Sequence, residues 1–396
     1  MNRLTDQTFY RDPFPVLAGL RDEAPLLRTK IPIMGKVWVT TTHAAAVGVL
    51  KDSDTFTQRS AKGGIAGLQW WMPRSLKVLA NNMLTSDGDE HKRLRTLVDA
   101  AFARRNVVAM ETDIEAAANE LADQMAANGR ADIVSGFARQ LPLLVISDLL
   151  GLPRGDRDFF VRTANAFSSV TGLMSFVGMF PALRRLSTYL DGKIAETRQT
   201  GGSGLITELV SEAEDGHAND EELLATAFLL LIAGHETTTH LISGSVKALL
   251  DEPDKRAWLA EDFSRLDLAV EEFLRFISPV QMTKPRHARA ATNIEGVAVA
   301  KGELVVPLLA AANADPDVFD RPEKMKLDRH PNPHIAFGTG VHFCLGHQLA
   351  RLEARIALKV LLQRFADMRF SVPQDRLRWR KRVGLRALTK LPVRLS

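Results

Sequence analysis

The chain of 396 residues contains one cysteine, so it closes no internal disulfide. That suits a reducing compartment, and a cytoplasmic location is the expectation. One thiol also rules out a zinc-finger set and an iron–sulfur cysteine set. Long apolar runs are missing as well. The stretch from Ala227 to Ala233 is far short of the roughly 20 residues that a bilayer requires, and Met1 to Gln7 form no apolar leader. A soluble protein is expected, with no membrane contact. Charge of one sign is scarce: 51 Lys and Arg against 47 Asp and Glu leave a net +4. This is too little, and too dispersed, to argue for nucleic acid. Internal repeats and long linkers are lacking, which predicts one domain over residues 1–396.

What is present is an ample core, with apolar residues at 45% and no signature of disorder. Helical periodicity runs from about Asp113 to Ala127, Leu141 to Leu150, Glu221 to Leu250, Leu266 to Ile277 and Leu345 to Phe365. Strand-like runs are short: Lys36 to Thr40, Glu303 to Leu308 and Met368 to Val372. The loosest stretches are Ala61 to Asp87, with Gly63, Gly64 and Gly67, and Gln199 to Asn219, with Gly201, Gly202 and Gly204. The pattern predicts a mainly α protein with a minor β portion near the N-terminus and in the C-terminal third.

The single Cys344 stands in Phe337-Gly338-Thr339-Gly340-Val341-His342-Phe343-Cys344-Leu345-Gly346. A lone cysteine is often a small core residue, but the context here is unusual. Gly338, Gly340 and Gly346 let the backbone bend sharply and approach a flat partner closely. The helix that begins at Leu345 puts the sulfur where free helix N–H groups gather. Such a site favours thiolate, and a thiolate with no second cysteine nearby can serve a haem iron.

The longest periodic segment also carries unusual residues. Asn219 or Asp220 can cap it, and Glu221 and Glu222 suit its positive end. Its apolar middle holds Ala233-Gly234-His235-Glu236-Thr237-Thr238-Thr239-His240, with a glycine and three threonines that are poor helix formers. One reading is a helix bent by threonine hydroxyls bonding back one turn. A zinc-protease pair is excluded, because His235 and His240 are five apart, about 140° around the helix.

The cysteine segment resembles the haem-binding loop of cytochromes P450, Phe-x-x-Gly-x-His/Arg-x-Cys-x-Gly, and matches every fixed position. The resemblance runs from about Pro15 to Val393. It implies the cytochrome P450 fold of the soluble bacterial type, a triangular helical domain with haem b between the long central helix and the cysteine-loop helix. Cys344 would be the proximal iron ligand, within a loop that includes Phe337 and Gly338. The central segment resembles Ala/Gly-Gly-x-Asp/Glu-Thr. By that likeness Ala233 and Gly234 leave room for dioxygen, Thr237 hydrogen-bonds the reacting oxygen, and Glu236 relays protons from solvent. Glu272 and Arg275 resemble the family's buried Glu-x-x-Arg pair, with Arg329 the expected partner. The same resemblance nominates His91, Arg95, Arg286 and His342 as clamps for the two haem propionates.

Positions matched to the family's substrate-contacting segments are Ile65, Leu68, Trp70, Leu79, Phe167, Leu229, Val280, Met282 and Leu385. They are apolar, so a small apolar organic substrate is expected. Lys92, Arg93, Arg104, Arg105, Arg351 and Arg355 would form a basic face for an acidic electron donor such as a ferredoxin, served by its own reductase. No fused reductase is legible, because Gly338 and Gly340 do not extend to a dinucleotide motif. The resemblance therefore implies a haem-thiolate monooxygenase, a monomer, that activates O2 and hydroxylates its substrate. The rivals are a peroxygenase or another oxidase on the same fold, and a non-catalytic haem-binding protein.

Overall fold

A helix of 32 residues, Asp220–Asp251, organises the molecule. At 1.5 Å per residue it is about 48 Å long. Asn219 starts it: its side chain accepts from the Glu222 N–H, while Glu222 accepts from the Asn219 N–H, a reciprocal capping box. The helix is buried around most of its girth, packed between Gln140–Leu150, Leu266–Ile277 and His347–Arg364. The computed structural model describes residues 3–31, 34–65, 81–104, 107–127, 129–156, 159–160, 162–163 and 180–395.

Leu266–Ile277 buries the stripe Leu266, Ala269, Val270, Phe273, Leu274 and Ile277 against the core. Ser278, at φ 44°, turns the chain out of the helix ahead of Pro279. Local sequence thus marks both the buried face and the end of this element. The stretch from Gln199 to Asn219 is less loose than its glycines suggest, because Leu205–Glu214 is a helix. Its Leu205, Ile206, Leu209 and Val210 are buried, and tertiary packing holds an element too short to stand alone.

The strands are β1 (Leu26–Ile31), β2 (Gly35–Thr40), β3 (Phe56–Thr57), β4 (Arg130–Asp132), β5 (Arg286–Ala288), β6 (Thr292–Ile294), β7 (Val297–Val299), β8 (Leu304–Val306), β9 (Arg369–Phe370) and β10 (Pro392–Arg394). The main sheet runs β1-β2-β8-β5-β3, and β2 pairs with β8 in parallel through Trp38↔Val305. Its N-terminal strands thus pair with strands some 260 residues later. β5 is held on both sides, by β8 and β3, and this fixes Arg286. A single apolar cluster joins residues from Leu4 to Leu395. Among the described residues no helix is long and apolar enough to cross a membrane.

A buried ionic network anchors the cysteine segment. Glu272, fully buried, accepts from Arg275 Nε and Nη2 at 2.8 and 2.7 Å. It also accepts from Arg329 Nε at 3.0 Å, Asn332 Nδ2 at 3.2 Å and the Lys326 N–H at 2.8 Å. Arg275 Nη1 donates to the carbonyls of Asn313 and Pro322, both at 2.9 Å. Asn313 Oδ1 in turn accepts from the Ile335 N–H at 2.8 Å, two residues before Phe337. Every lone pair and proton of the pair is occupied, the condition under which a buried ion pair is tolerated.

Candidate haem and substrate cavity

A cavity of about 410 Å³ opens between the central helix and the segment Ala336–Gly346. Cys344 lines one wall, and Leu229, Ala233, Gly234 and Thr237 line another. Ala233 is exposed although it sits mid-helix in the core, and the surface it exposes is cavity wall. Phe337, Gly338 and His342 border the same space, as do His91, Arg95, Arg286, Val280 and Met282.

The cysteine loop closes through the Cys344 N–H, which donates to the Phe337 carbonyl at 3.0 Å. Gly340 sits at φ +74°, and a Cβ there would stand 2.4 Å from the Leu50 carbonyl oxygen. Its smallness therefore serves the fit of the loop on helix His43–Lys51, and not closeness to a flat partner. Gly346 has an ordinary φ of −81°. Arg351 stacks its guanidinium 4.6 Å from the Phe337 ring centroid and binds Glu271 through two nitrogens, at 2.6 and 2.8 Å. Burial pushes the Cys344 thiol up, opposed by the Gly346 N–H and by Arg95 and Arg351. The expectation that the pocket alone favours thiolate is corrected: desolvation outweighs the helix end and the two guanidiniums together.

The central-helix residues differ in outlook. Thr237 faces the cavity, and its hydroxyl donates to the Ala233 carbonyl at 3.0 Å. Thr238 and Thr239 bond back in the same way, to Gly234 at 3.3 Å and His235 at 2.7 Å. Gly234 has a packing reason: a Cβ there would lie 3.1 Å from Ile146 Cγ1. The room it leaves is taken by the neighbouring helix. Glu236 does not line the cavity; it is buried and ion-paired to Arg382. No cluster of His, Cys, Asp or Glu able to hold a metal ion occurs among the described residues.

One end of the cavity is cationic. Arg286 is 1% exposed, its Nη1 donates to the Phe56 carbonyl at 3.4 Å, and its Nε has no partner among the described residues. Arg95 spans from Asp99 (3.1 Å) to the Phe343 carbonyl (2.6 Å). The rings of His91 and His342 lie 4.2 Å apart. Burial, then the neighbouring cations, push both histidines down, His342 to about 3. Lys284, which the sequence reading missed, also faces this space, and burial pushes its ammonium down to about 8. Lys284 keeps accessible surface, and that surface is cavity wall. Buried cations with an orphaned donor require anionic partners. A flat apolar group bearing carboxylates, as haem does, meets that requirement.

Other expectations fare differently. Ile65 pairs with Arg59, and Leu385 pairs with Val280; neither lines the cavity. Leu68, Trp70, Leu79 and Phe167 lie outside the described residues. The basic face is largely neutralised: Arg93 pairs with Glu222, Arg351 with Glu271 and Arg355 with Glu111. Arg105 lies outside the described residues. Glu353 was also missed. It is 1% exposed, lines the cavity and shares a hydrogen bond with Thr238. Its signal was its place in the apolar series Leu349, Leu352, Ile356 and Val360 of the last long helix.

Comparison with known proteins agrees with this geometry. The family model "Cytochrome P450" matches residues 179–387. The polyketide biosynthesis cytochrome P450 PksS of Bacillus subtilis is 36% identical over 98% of this chain and 97% of its own. The solved structure of PksS superposes with a TM-score of 0.90 at 35% identity, covering both chains fully. The monooxygenase PikC of Streptomyces venezuelae is 36% identical over 98% of this chain and 92% of its own. A myxobacterial cytochrome P450 in complex with myristic acid gives a TM-score of 0.91 at 31% identity, covering 99% of this chain and 98% of that one. With such relatives along its whole length and a cysteine loop walling a cationic cavity, the chain belongs to the cytochrome P450 family, the haem b-dependent haem-thiolate monooxygenases.

Proposed function

We propose that the protein hydroxylates a small, neutral, apolar molecule, with electrons from a separate ferredoxin-type protein. The observation that carries this reading is one cavity walled by both Cys344 and Thr237 and capped by cations. In it Cys344 holds the haem iron, and His91, Arg95, Arg286 and His342, joined by Lys284, receive the propionates. Glu272, Arg275 and Arg329 keep the cysteine loop in place through Asn313. When bound, the haem supplies the redox chemistry: dioxygen, two electrons and two protons put one oxygen atom into a C–H bond and release the other as water.

The chain's own residues deliver those two protons and keep other water out. The Thr237 hydroxyl donates to the Ala233 carbonyl, so its oxygen offers lone pairs to the cavity. A proton arriving there is held beside the reacting centre. Glu236, one residue earlier on the helix, passes protons from the buried polar side of the helix to Thr237. Apolar walls from Leu229, Leu230, Leu241, Val280 and Met282 hold the substrate by burial alone. A relative whose name refers to polyketide biosynthesis, and a neighbour solved with myristic acid, support an apolar substrate. Exposed Val341 and Lys92 remain for the electron donor, now that ion pairs neutralise much of the basic face. The enzyme acts as one catalytic domain, a cytoplasmic monomer.

Two measurements test the reading. The reduced protein with carbon monoxide should show the strongly red-shifted Soret band of a thiolate ligand; a shorter-wavelength band from folded protein overturns it. Thr237→Ala should keep that band yet divert electrons to peroxide; unchanged coupling removes Thr237 from proton delivery.

A further inference from the structure

Glu236 is held by a residue from the far end of the chain. Arg382 binds its carboxylate. Arg139 and Arg380 both feel its charge. His240 Nε2 stands 4.0 Å away; burial and the three arginines keep His240 neutral. A carboxylate so tied is turned to Arg382 and away from the cavity that Thr237 lines.

Arg382 sits in a turn with a second attachment. The turn closes by the Leu385 N–H donating to the Arg382 carbonyl at 3.2 Å, and Tyr10 Oη donates to the same carbonyl at 3.1 Å. The turn rests on the substrate wall. Leu385 bridges Val280, and the Gln281 N–H donates to the Gly384 carbonyl at 2.8 Å. A Cβ on Gly384, at φ +83°, would lie 3.1 Å from Met282 Cγ. Val280 and Met282 face the cavity. One short turn therefore touches the wall that the substrate presses and also holds the carboxylate that the proton route needs. Packed interfaces of this kind shift between discrete arrangements instead of yielding smoothly.

We infer that Arg382 is a positioning residue that couples pocket filling to proton delivery: a substrate pressed on Val280 and Met282 moves the Arg382–Leu385 turn and releases Glu236. This rests on the reading of Glu236 as the proton-passing group. It explains why an acid at this place is tied to a guanidinium whose backbone supports the pocket. Without substrate the tie holds, and Glu236 stays turned from the cavity.

The test uses the haem-loaded protein and reads the Glu236 carboxylate by infrared difference spectroscopy, its band assigned by loss in Glu236→Gln. Arg382→Gln should shift that band. Met282→Phe, which fills the wall without touching Arg382, should shift it in the same direction, and the two changes together should not add. If Met282→Phe does not fold, Met282→Leu is read by the same criterion. The peroxide yield per oxygen consumed by substrate-free Arg382→Gln, with a surrogate ferredoxin and reductase, should fall about fivefold, the factor carried by about 1 kcal/mol of lost restraint. Arg382→Lys should restore much of the control. A Glu236 band unmoved by the Met282 changes, or fully additive shifts, overturns the coupling. If instead Glu236→Gln leaves the peroxide yield unchanged, the proton-passing reading falls, whatever the band does.

Discussion

Glu353→Gln isolates the cost of an uncharged acid in the wall of the cavity. Glu353 is 1% exposed, and its Oε2 has no partner among the described residues. Burial raises its carboxyl from 4.5 to about 8, against a smaller opposing pull from the Thr238 hydroxyl. The folded protein therefore keeps a proton that the unfolded chain releases above 4.5. Stability from this group is fully present below 4.5 and is lost as pH rises through 8. The separation of 8 − 4.5 = 3.5 units corresponds to at most about 5 kcal/mol at 1.36 kcal/mol per unit. Glutamine keeps the shape and a donor but has no proton to lose. Urea unfolding of the haem-loaded wild type and variant, at about pH 5, 6.5 and 8, should show Glu353→Gln gaining on wild type as pH rises. The two should be nearly equal at the lowest pH. A gap that stays constant across the range refutes the argument, because it would mean that Glu353 ionises alike in both states.

Three further outcomes follow from the same geometry. Glu272→Ala leaves Arg275 and Arg329 buried without their counter-charge and should cost about 3–5 kcal/mol; haem retention, read as the Soret-to-protein absorbance ratio, should fall with it. Glu271→Gln tests the opposite pH sign. Burial pushes that carboxyl up, but Arg351 and His334 outweigh it and hold it at about 2. Its stabilisation is present above 4.5 and should vanish as pH falls toward 2, so thermal midpoints of variant and wild type should converge in acid. Gly340→Ala forces a side chain into φ +74° and against the Leu50 carbonyl. It should cost more than the 1–2 kcal/mol of the backbone conformation alone and weaken the thiolate signature of the carbon monoxide complex; normal stability and spectrum would contradict the close fit.

What local sequence decided is visible element by element. The stripe from Leu266 to Ile277, the Asn219 cap and the motif around Cys344 are each written within a few residues of sequence, so their spacing was enough to find them. The family motif then placed Cys344, Thr237 and the cationic residues on one cavity, because those positions ride on well-defined elements. Tertiary structure decided what depends on partners distant in the chain. Glu236 faces Arg382, Gly234 makes way for Ile146, and Arg275 reaches the cysteine segment through Asn313. No periodicity encodes such pairings. Charge state follows the same division. The thiol of Cys344 is raised because desolvation is set by everything packed around it, and the helix behind it is only one contributor. Sequence determined which groups are present and on which faces they ride; the fold decided which of them meet, and how far from water.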